Sequence, residues 1–378
     1  MRPAGERVID VHFHVGLLGD QWPSSGWLSS RLRSDPAYKI FLAYARVDEA
    51  DACDATLKET TLRVIDSCGH VDQVVCLALD KAHDAAGNAL DDQTHLWVAN
   101  DYVLELQRAL PGRILFGASV HPFRADFETE VRRCVDRGAV LLKWLPSAQR
   151  IDLADERIPD RLRFLATARD GRPLPLLLHC GAEYAIPPSD ERLSTLDFLS
   201  WTRWEGFVNR LRGSRRKAVP RVSLVHRNLE AGLAGGAAVI FAHCGFPYFA
   251  EGRLARLAEH SDYRVVADFI RRHPVREHGH GSCFADVSAC CTPFRRPMFD
   301  DIAALPAESV LFGSDFPTPV FELSADLEEM LEDLKAVLHG ALDRVLIPED
   351  NLVDVNYREL LHVFGGHKLF TNFDRVLR

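Results

Sequence analysis

Val8-Ile9-Asp10-Val11-His12-Phe13-His14-Val15-Gly16 is the stretch that decides how the rest of the chain is read. It is short, β-branched and mostly apolar, so it reads as a buried strand. Residues two apart on a strand face the same side, which pairs His12 with His14. Two imidazoles side by side at a strand end suit a metal ion. In a chain with 16 histidines an H-x-H also arises by chance, so its weight depends on what the other strands carry.

Working outward, seven further apolar runs read as strands, at 73–80, 114–122, 139–146, 175–181, 238–245, 282–289 and 310–317. Helical patterns separate them, near 48–68, 93–110, 126–137, 156–169, 190–211, 226–234 and 251–272, and two more near 322–339 and 349–364 close the chain. Eight buried strands alternating with helices predict a parallel sheet wrapped in helices, and eight is the number that closes a TIM (β/α)8 barrel. The alternative is an open doubly wound sheet, but Gly16-Leu17-Leu18-Gly19 is not the dinucleotide fingerprint that fold would place after its first strand. One domain spanning 1–378 is expected, with long segments inserted after the first and fifth strands, 16–47 and 182–236. The first of these is rich in Gly, Ser, Pro, Trp and Arg and reads as a loop covering the site. Trp22, Trp27, Trp201 and Trp204 lie in these long connections and suit a lid or the interface of a homo-oligomer.

Composition narrows the function class. Of 378 residues, 47% are hydrophobic and 26% charged, as in a soluble globular enzyme. A net charge of −9 and no basic block longer than Arg215-Arg216-Lys217 argue against a nucleic-acid partner. The nine cysteines include no C-x-x-C and several sit inside apolar strands, so they read as reduced, buried thiols of a cytoplasmic protein. No leader-like N-terminus and no long apolar run are seen, so no membrane association is expected.

The polar residues fall at strand ends. The first strand ends in His12 and His14, the third in His121, the fourth in Lys143, the fifth in His179, the sixth in His243 and the eighth in Asp315. In a closed barrel all C-terminal strand ends meet on one face, where barrel active sites lie. Burying so many polar groups together is costly unless something compensates, and a divalent cation does. His12, His14, His179 and Asp315 are the expected ligands. Three imidazoles and a carboxylate suit Zn²⁺ best, and Mn²⁺ or Fe²⁺ also match the donor set.

With these residues in view, Asp10-x-His12-x-His14, strand-end His179 and His243, and Gly313-Ser314-Asp315-Phe316-Pro317 resemble the amidohydrolase superfamily. The resemblance runs over nearly the whole chain. The branch it most resembles holds amidohydrolases, lactonases and decarboxylases of the aminocarboxymuconate-semialdehyde type. It implies a distorted TIM barrel with one metal, usually zinc, on His12, His14, His179 and Asp315. His243 then acts on the water or the substrate. Lys143 sits where binuclear members carry a carboxylated lysine bridging two ions. The reading preferred here is a single ion, with Lys143 as a cation that holds a substrate carboxylate.

The expected chemistry is hydrolysis of a C–N or C–O bond, in an amide, lactone or ester of a small carboxylated substrate, by a water whose pKa the metal lowers. Asp315 would carry the proton to the leaving group, and His243 would orient the water or stabilise the oxyanion. Asp10 would fix the tautomer of a ligand histidine. His121 and Arg124 are candidates for substrate contact. Arg295 and Arg296 have the chemistry to recognise an anion, but a pair of loop arginines reads first as solvated. His278-Gly279-His280 lies in a glycine-rich loop and reads as unrelated. Non-oxidative decarboxylation of an aromatic or enoic acid in the same site is the alternative reaction. A metal-binding scaffold without chemistry is a third reading.

Overall fold

In the computed structural model the described residues are 6–180, 185–189, 218–245, 262–291, 295, 298–320, 349–364 and 368–377. The chain begins with β1 (Ile9–His14), β2 (Gly26–Leu28), α1 (Ser30–Arg33), α2 (Pro36–Ala45), α3 (Asp54–Ser67) and β3 (Gln73–Leu77). It continues through β4 (Leu96–Val98), α4 (Asn100–Ala109), β5 (Ile114–Ala118), α5 (Phe127–Asp136), β6 (Ala139–Trp144), α6 (Pro146–Gln149), α7 (Ile158–Leu165) and β7 (Leu176–Leu178). The last part holds α8 (Ala218–Ala234), β8 (Val239–Phe241), α9 (Asp262–Arg272), β9 (Cys283–Asp286), α10 (Phe299–Ala303), β10 (Val310–Leu311) and α11 (Leu352–Phe364).

Eight strands form one sheet in the order β1-β3-β5-β6-β7-β8-β9-β10, every pair parallel. Its two edges meet. The Val11 N–H donates to the Phe312 carbonyl and the His14 N–H to that of Phe316, each at 3.0 Å, and Phe13 pairs in parallel with Phe316. The sheet is thus a (β/α)8 barrel, and its strands are the eight expected from the apolar runs.

Alternation along the strands sorts side chains into two layers. On β6, Leu141 belongs to the inner cluster and Leu142 and Trp144 to the outer one. The inner cluster joins Ile9, Val11, Leu115, Leu177, Ile240, Phe284 and Leu311, and Phe373 and Leu377 from the C-terminal segment complete it. That segment, a turn of π-helix at Phe373–Leu377, is tied to the residue just before β1's start region by Arg7, which pairs with Asp374 at 2.8 Å. It therefore stoppers the N-terminal end of the barrel.

Residues 16–47 are more ordered than the expected loop. β2 pairs antiparallel with β4, Trp27 opposite Trp97, as a two-stranded sheet outside the barrel. α2 starts at Pro36 behind an N-cap, Asp35, whose side chain accepts the Ala37 N–H. The turn after β1 is held by one carboxylate. Asp54 Oδ1 accepts the N–H groups of Leu18 and Gly19 at 2.6 and 3.0 Å, and Oδ2 those of Gln21 and Trp22 at 3.0 and 2.8 Å. Burial alone would raise the Asp54 pKa, but these four donors bring it below the ordinary value.

Because Asp54 serves that turn, α3 starts there and not at residue 48, with Cys53 as its N-cap. The helix expected over 93–110 is shorter, Asn100–Ala109, since 96–98 belong to β4. α8 starts well ahead of the expected 226. Most of the insertion 182–236 lies outside the described residues, with its helix near 190–211 and with Trp201 and Trp204; so do the helix near 322–339 and residues 251–261. All nine cysteines are free thiols, eight of them buried. Among the described residues no helix is long and apolar enough to cross a membrane.

Candidate metal centre

The site begins with an irregularity in β1. Ile9 and Val11 face the barrel interior, while Phe13 and Val15 pack in the outer layer. Strict alternation forbids that, and the pairing of β1 with β3 slips between Asp10 and Phe13. The slip leaves His12 and His14 facing inward at the C-terminal mouth. Their Nε2 atoms lie 3.1 Å apart.

β9 supplies what His12 needs on its other side. His12 Nδ1 donates to Asp286 Oδ2 at 3.0 Å, both side chains fully buried. That bond fixes the tautomer, so Nε2 carries the lone pair. Asp286 Oδ1 accepts the backbone N–H groups of His243 and Ser288, each at 3.0 Å, and the Ser288 hydroxyl. Burial would raise the Asp286 pKa, yet His12 and the other donors hold the carboxyl well below the usual carboxylate range. His12, for its part, is pushed down to about 3, first by burial and then by the charge of Lys143.

The remaining groups arrive at the ends of other strands. Behind β8, His243 has a left-handed backbone, φ 55°, and its Nδ1 donates to the Ser288 carbonyl at 3.1 Å. Its Nε2 is therefore also an acceptor. Its ring lies over that of His12, centroids 5.0 Å apart. Burial lowers its pKa, against the pull of Asp315 and Asp286. Behind β10, Asp315 has φ 62°, and its N–H donates to the His12 carbonyl at 2.8 Å. Left-handed backbone is costly for both residues and is kept where the surroundings impose it. Asp315 Oδ1 lies 3.1 Å from His14 Nε2 and 3.4 Å from His12 Nε2, while Oδ2 accepts the Thr318 hydroxyl at 2.9 Å. Burial works against its ionisation, but the histidines around it keep the carboxyl well below its usual range. Gly313 makes this approach feasible, since a Cβ there would stand 2.9 Å from His12 Cβ and 3.1 Å from Ser288 Cβ.

Lys143 on β6 is buried, with Nζ donating to His12 Nε2 at 3.0 Å. His179, just past β7, is buried too, its ring edge-on to His243 with centroids 5.0 Å apart. Burial, then His243 and Lys143, drive its pKa well down.

The donor set fits a small divalent cation. A tetrahedral site with bonds of about 2.0–2.1 Å has ligand–ligand edges of about 3.3 Å. His12 Nε2, His14 Nε2 and Asp315 Oδ1 stand 3.1–3.4 Å apart. Among the described residues, His12, His243 and Asp315 also bring ligand atoms within 4.8 Å of one another. His179 shares the cavity but is outside that trio. A cavity of about 220 Å³ opens over the cluster. His14, Lys143, His179, His243, Arg295 and Asp315 line its polar side, and α2 supplies much of the apolar wall.

Three expectations are corrected here. His121 is a satisfied core histidine: Nε2 donates to the Gln149 carbonyl at 2.9 Å and Nδ1 accepts the Phe123 N–H at 3.1 Å. Arg124 pairs with Asp80 and Asp126 at 3.1 and 2.8 Å. Neither is among the residues lining the cavity; Arg124 faces a separate polar cleft. Asp10 binds no histidine ring. Its Oδ1 accepts the N–H groups of His12 and Ser314 at 3.0 and 2.9 Å, fastening the first and last strands together, and burial pushes its pKa up to about 7. The tautomer-fixing role belongs to Asp286, which the sequence reading passed over. The signal was available: Asp286 is a lone carboxylate ending an apolar strand, as Asp315 nearly is. Arg295, expected as a solvated loop residue, is 5% exposed; Arg296 lies outside the described residues.

A family model described as Amidohydrolase matches residues 75–351, a span that holds Lys143, His179, His243, Asp286 and Asp315 but not His12 or His14. No curated protein matches the chain. An uncharacterized TIM-barrel protein from Bordetella bronchiseptica is 13% identical over 94% of this chain and 98% of its own, with a TM-score of 0.45. A probable 2-pyrone-4,6-dicarboxylic acid hydrolase from Acinetobacter baumannii is 12% identical over 93% and 99%, TM-score 0.41. A 5-carboxyvanillate decarboxylase from Novosphingobium aromaticivorans, a mutant with bound manganese, is 11% identical over 99% and 97%, TM-score 0.46. At these values the structural likenesses carry no inference about chemistry.

Proposed function

The chain belongs to the amidohydrolase family, and from that premise we propose that it is a metal-dependent hydrolase of a C–N or C–O bond in a small carboxylated substrate. One observation carries the reading. Two imidazole Nε2 atoms and an ionised carboxylate oxygen converge to 3.1–3.4 Å at the floor of a largely apolar cavity. His12, His14 and Asp315 hold the cation, with His179 completing the set, and one Zn²⁺ suits these donors best. Bound there, the ion supplies a Lewis acid for the substrate carbonyl and lowers the pKa of a water beside it.

The chain's own groups do the rest. His243, with Nδ1 committed to the Ser288 carbonyl, presents Nε2 as an acceptor and orients the attacking water by taking a hydrogen bond from it. Asp315 accepts the water's proton and passes it to the leaving nitrogen or oxygen as the C–N or C–O bond breaks. Lys143 offers its ammonium to the oxygen that gains charge. The apolar wall limits competing water. Hydrolysis begins by removing a proton, and His243 Nε2 is an acceptor placed to orient the water that gives it up.

The test is metal analysis of purified protein followed by assay against amides, lactones, esters and carboxylic acids. About one equivalent of zinc with hydrolysis is the expected result, and Asp315→Asn lowers kcat by about 10²–10⁴-fold. CO₂ release without hydrolysis, or full activity in D315N, overturns the proposal.

A further inference from the structure

Arg295 is a buried cation in the wall of the cavity. It is 5% exposed. A guanidinium has five N–H donors, and the hydrogen bond found for this one runs from Nη1 to the Ala289 carbonyl at 3.1 Å. No carboxylate among the described residues pairs with it. A buried charge is costly without an anion beside it, and one that lines a cavity is suited to a ligand that brings that anion. Lys143, the other strong cation of the wall, is turned into the cluster, 3.0 Å from His12 Nε2. Arg295, whose charge acts on His243, is therefore the group left to hold a substrate anion, and a planar fork suits a carboxylate.

The rest of the cavity lining has a different character. α2 lays Tyr38, Phe41, Leu42 and Ala45 along it, the spacing of one helical face. Leu28, Leu32, Leu57 and Ile186 extend this surface, and Asp315 is the one acidic residue among the described lining residues. A second substrate carboxylate would meet hydrocarbon there.

We propose that the substrate is a monocarboxylate with an apolar body, its carboxylate on Arg295 and its body against the α2 face, which makes Arg295, Phe41 and Leu42 specificity-determining residues. This rests on the hydrolase reading for the position of the scissile bond, but not for the binding itself.

The test is calorimetric titration of the metal-loaded protein with three unreactive probes: 3-phenylpropionate, its neutral methyl-ketone analogue 4-phenyl-2-butanone, and succinate. The aryl acid is expected to bind about tenfold or more tighter than either of the others. Arg295→Gln lowers its affinity to that of the ketone and leaves the ketone's unchanged; R295K, which keeps the charge without the fork, falls between and guards against a variant that fails to fold. Phe41→Ala weakens acid and ketone together. Unchanged acid binding in R295Q, or succinate binding as tightly as the aryl acid, overturns the proposal. Repetition after chelation separates the two readings. Acid binding that disappears with the metal but not in R295Q puts the carboxylate on the cation, overturning this proposal and sparing the metal site. Arg295-dependent binding in a protein that purifies without metal supports it while the metal reading fails.

Discussion

The two ends of the barrel are closed by opposite means. At the N-terminal end, Phe373 and Leu377 fill the interior with hydrocarbon, in contact with the inner cluster of Ile9, Leu115 and Phe284. At the C-terminal end the same interior receives His12, Lys143, His243, Asp286 and Asp315, all nearly or wholly buried. His243 and Asp315 there have left-handed backbone, at φ 55° and 62°. One end lowers the free energy of the fold, and the other spends part of that gain on polar groups that only a ligand fully satisfies. The difference shows where stability and chemistry are separable in this molecule.

The largest effect that would test the separation is at the apolar end. Phe373→Ala should destabilise the fold by about 3–5 kcal/mol, read as a lower denaturation midpoint, while metal content per folded molecule stays at the parent value. Loss of metal together with a small change in stability would show that the two ends are not independent. Next is Asp286→Asn, which removes the ionised acceptor of His12 Nδ1 and should weaken metal affinity about 10–100-fold, measured by competition with a chelator. An unchanged affinity would mean that the His12 tautomer is fixed by another group.

Gly313→Ala sharpens the comparison sterically. The new Cβ stands 2.9 Å from that of His12. The variant should lose about 1–3 kcal/mol and bind metal more weakly, whereas the same change at Gly112, where a Cβ meets nothing within 4 Å, should not alter metal binding. The smallest effect concerns Asp54, which serves the turn behind β1. Asp54→Asn should cost about 1 kcal/mol at neutral pH. The folded-state pKa of Asp54 lies below its ordinary value. Its ionised form therefore adds stability above the unfolded-state pKa, and that stability is lost as pH falls through the folded one. Denaturation of parent and D54N should converge in acid, and a constant gap across pH would exclude the ionised carboxylate as its source.

Much of the architecture was legible in the chain. The eight apolar runs gave the eight barrel strands, because a strand buried on both faces must be apolar throughout. His12, His14, Lys143, His179, His243 and Asp315 stood out because each interrupts or ends such a run. α2 was misread from composition, although Asp35-Pro36 is a helix start and residues 38, 41, 42 and 45 already have helical spacing. His121 ends its strand as the site histidines do, and only the Gln149 carbonyl and the Phe123 N–H, both supplied by the fold, show it to be satisfied.

What the sequence by itself determined is the barrel and the inventory of polar groups at its mouth, since both follow from hydrophobic period and local order along the chain. Tertiary structure decided which of those groups meet. The slip in β1 turned two histidines inward, a carboxylate from β9 became the partner of a histidine from β1, and Arg295 came to lie buried in the wall of the cavity. Pairings of that kind depend on register and on contacts between residues hundreds of positions apart, and no local pattern of residues encodes a distance.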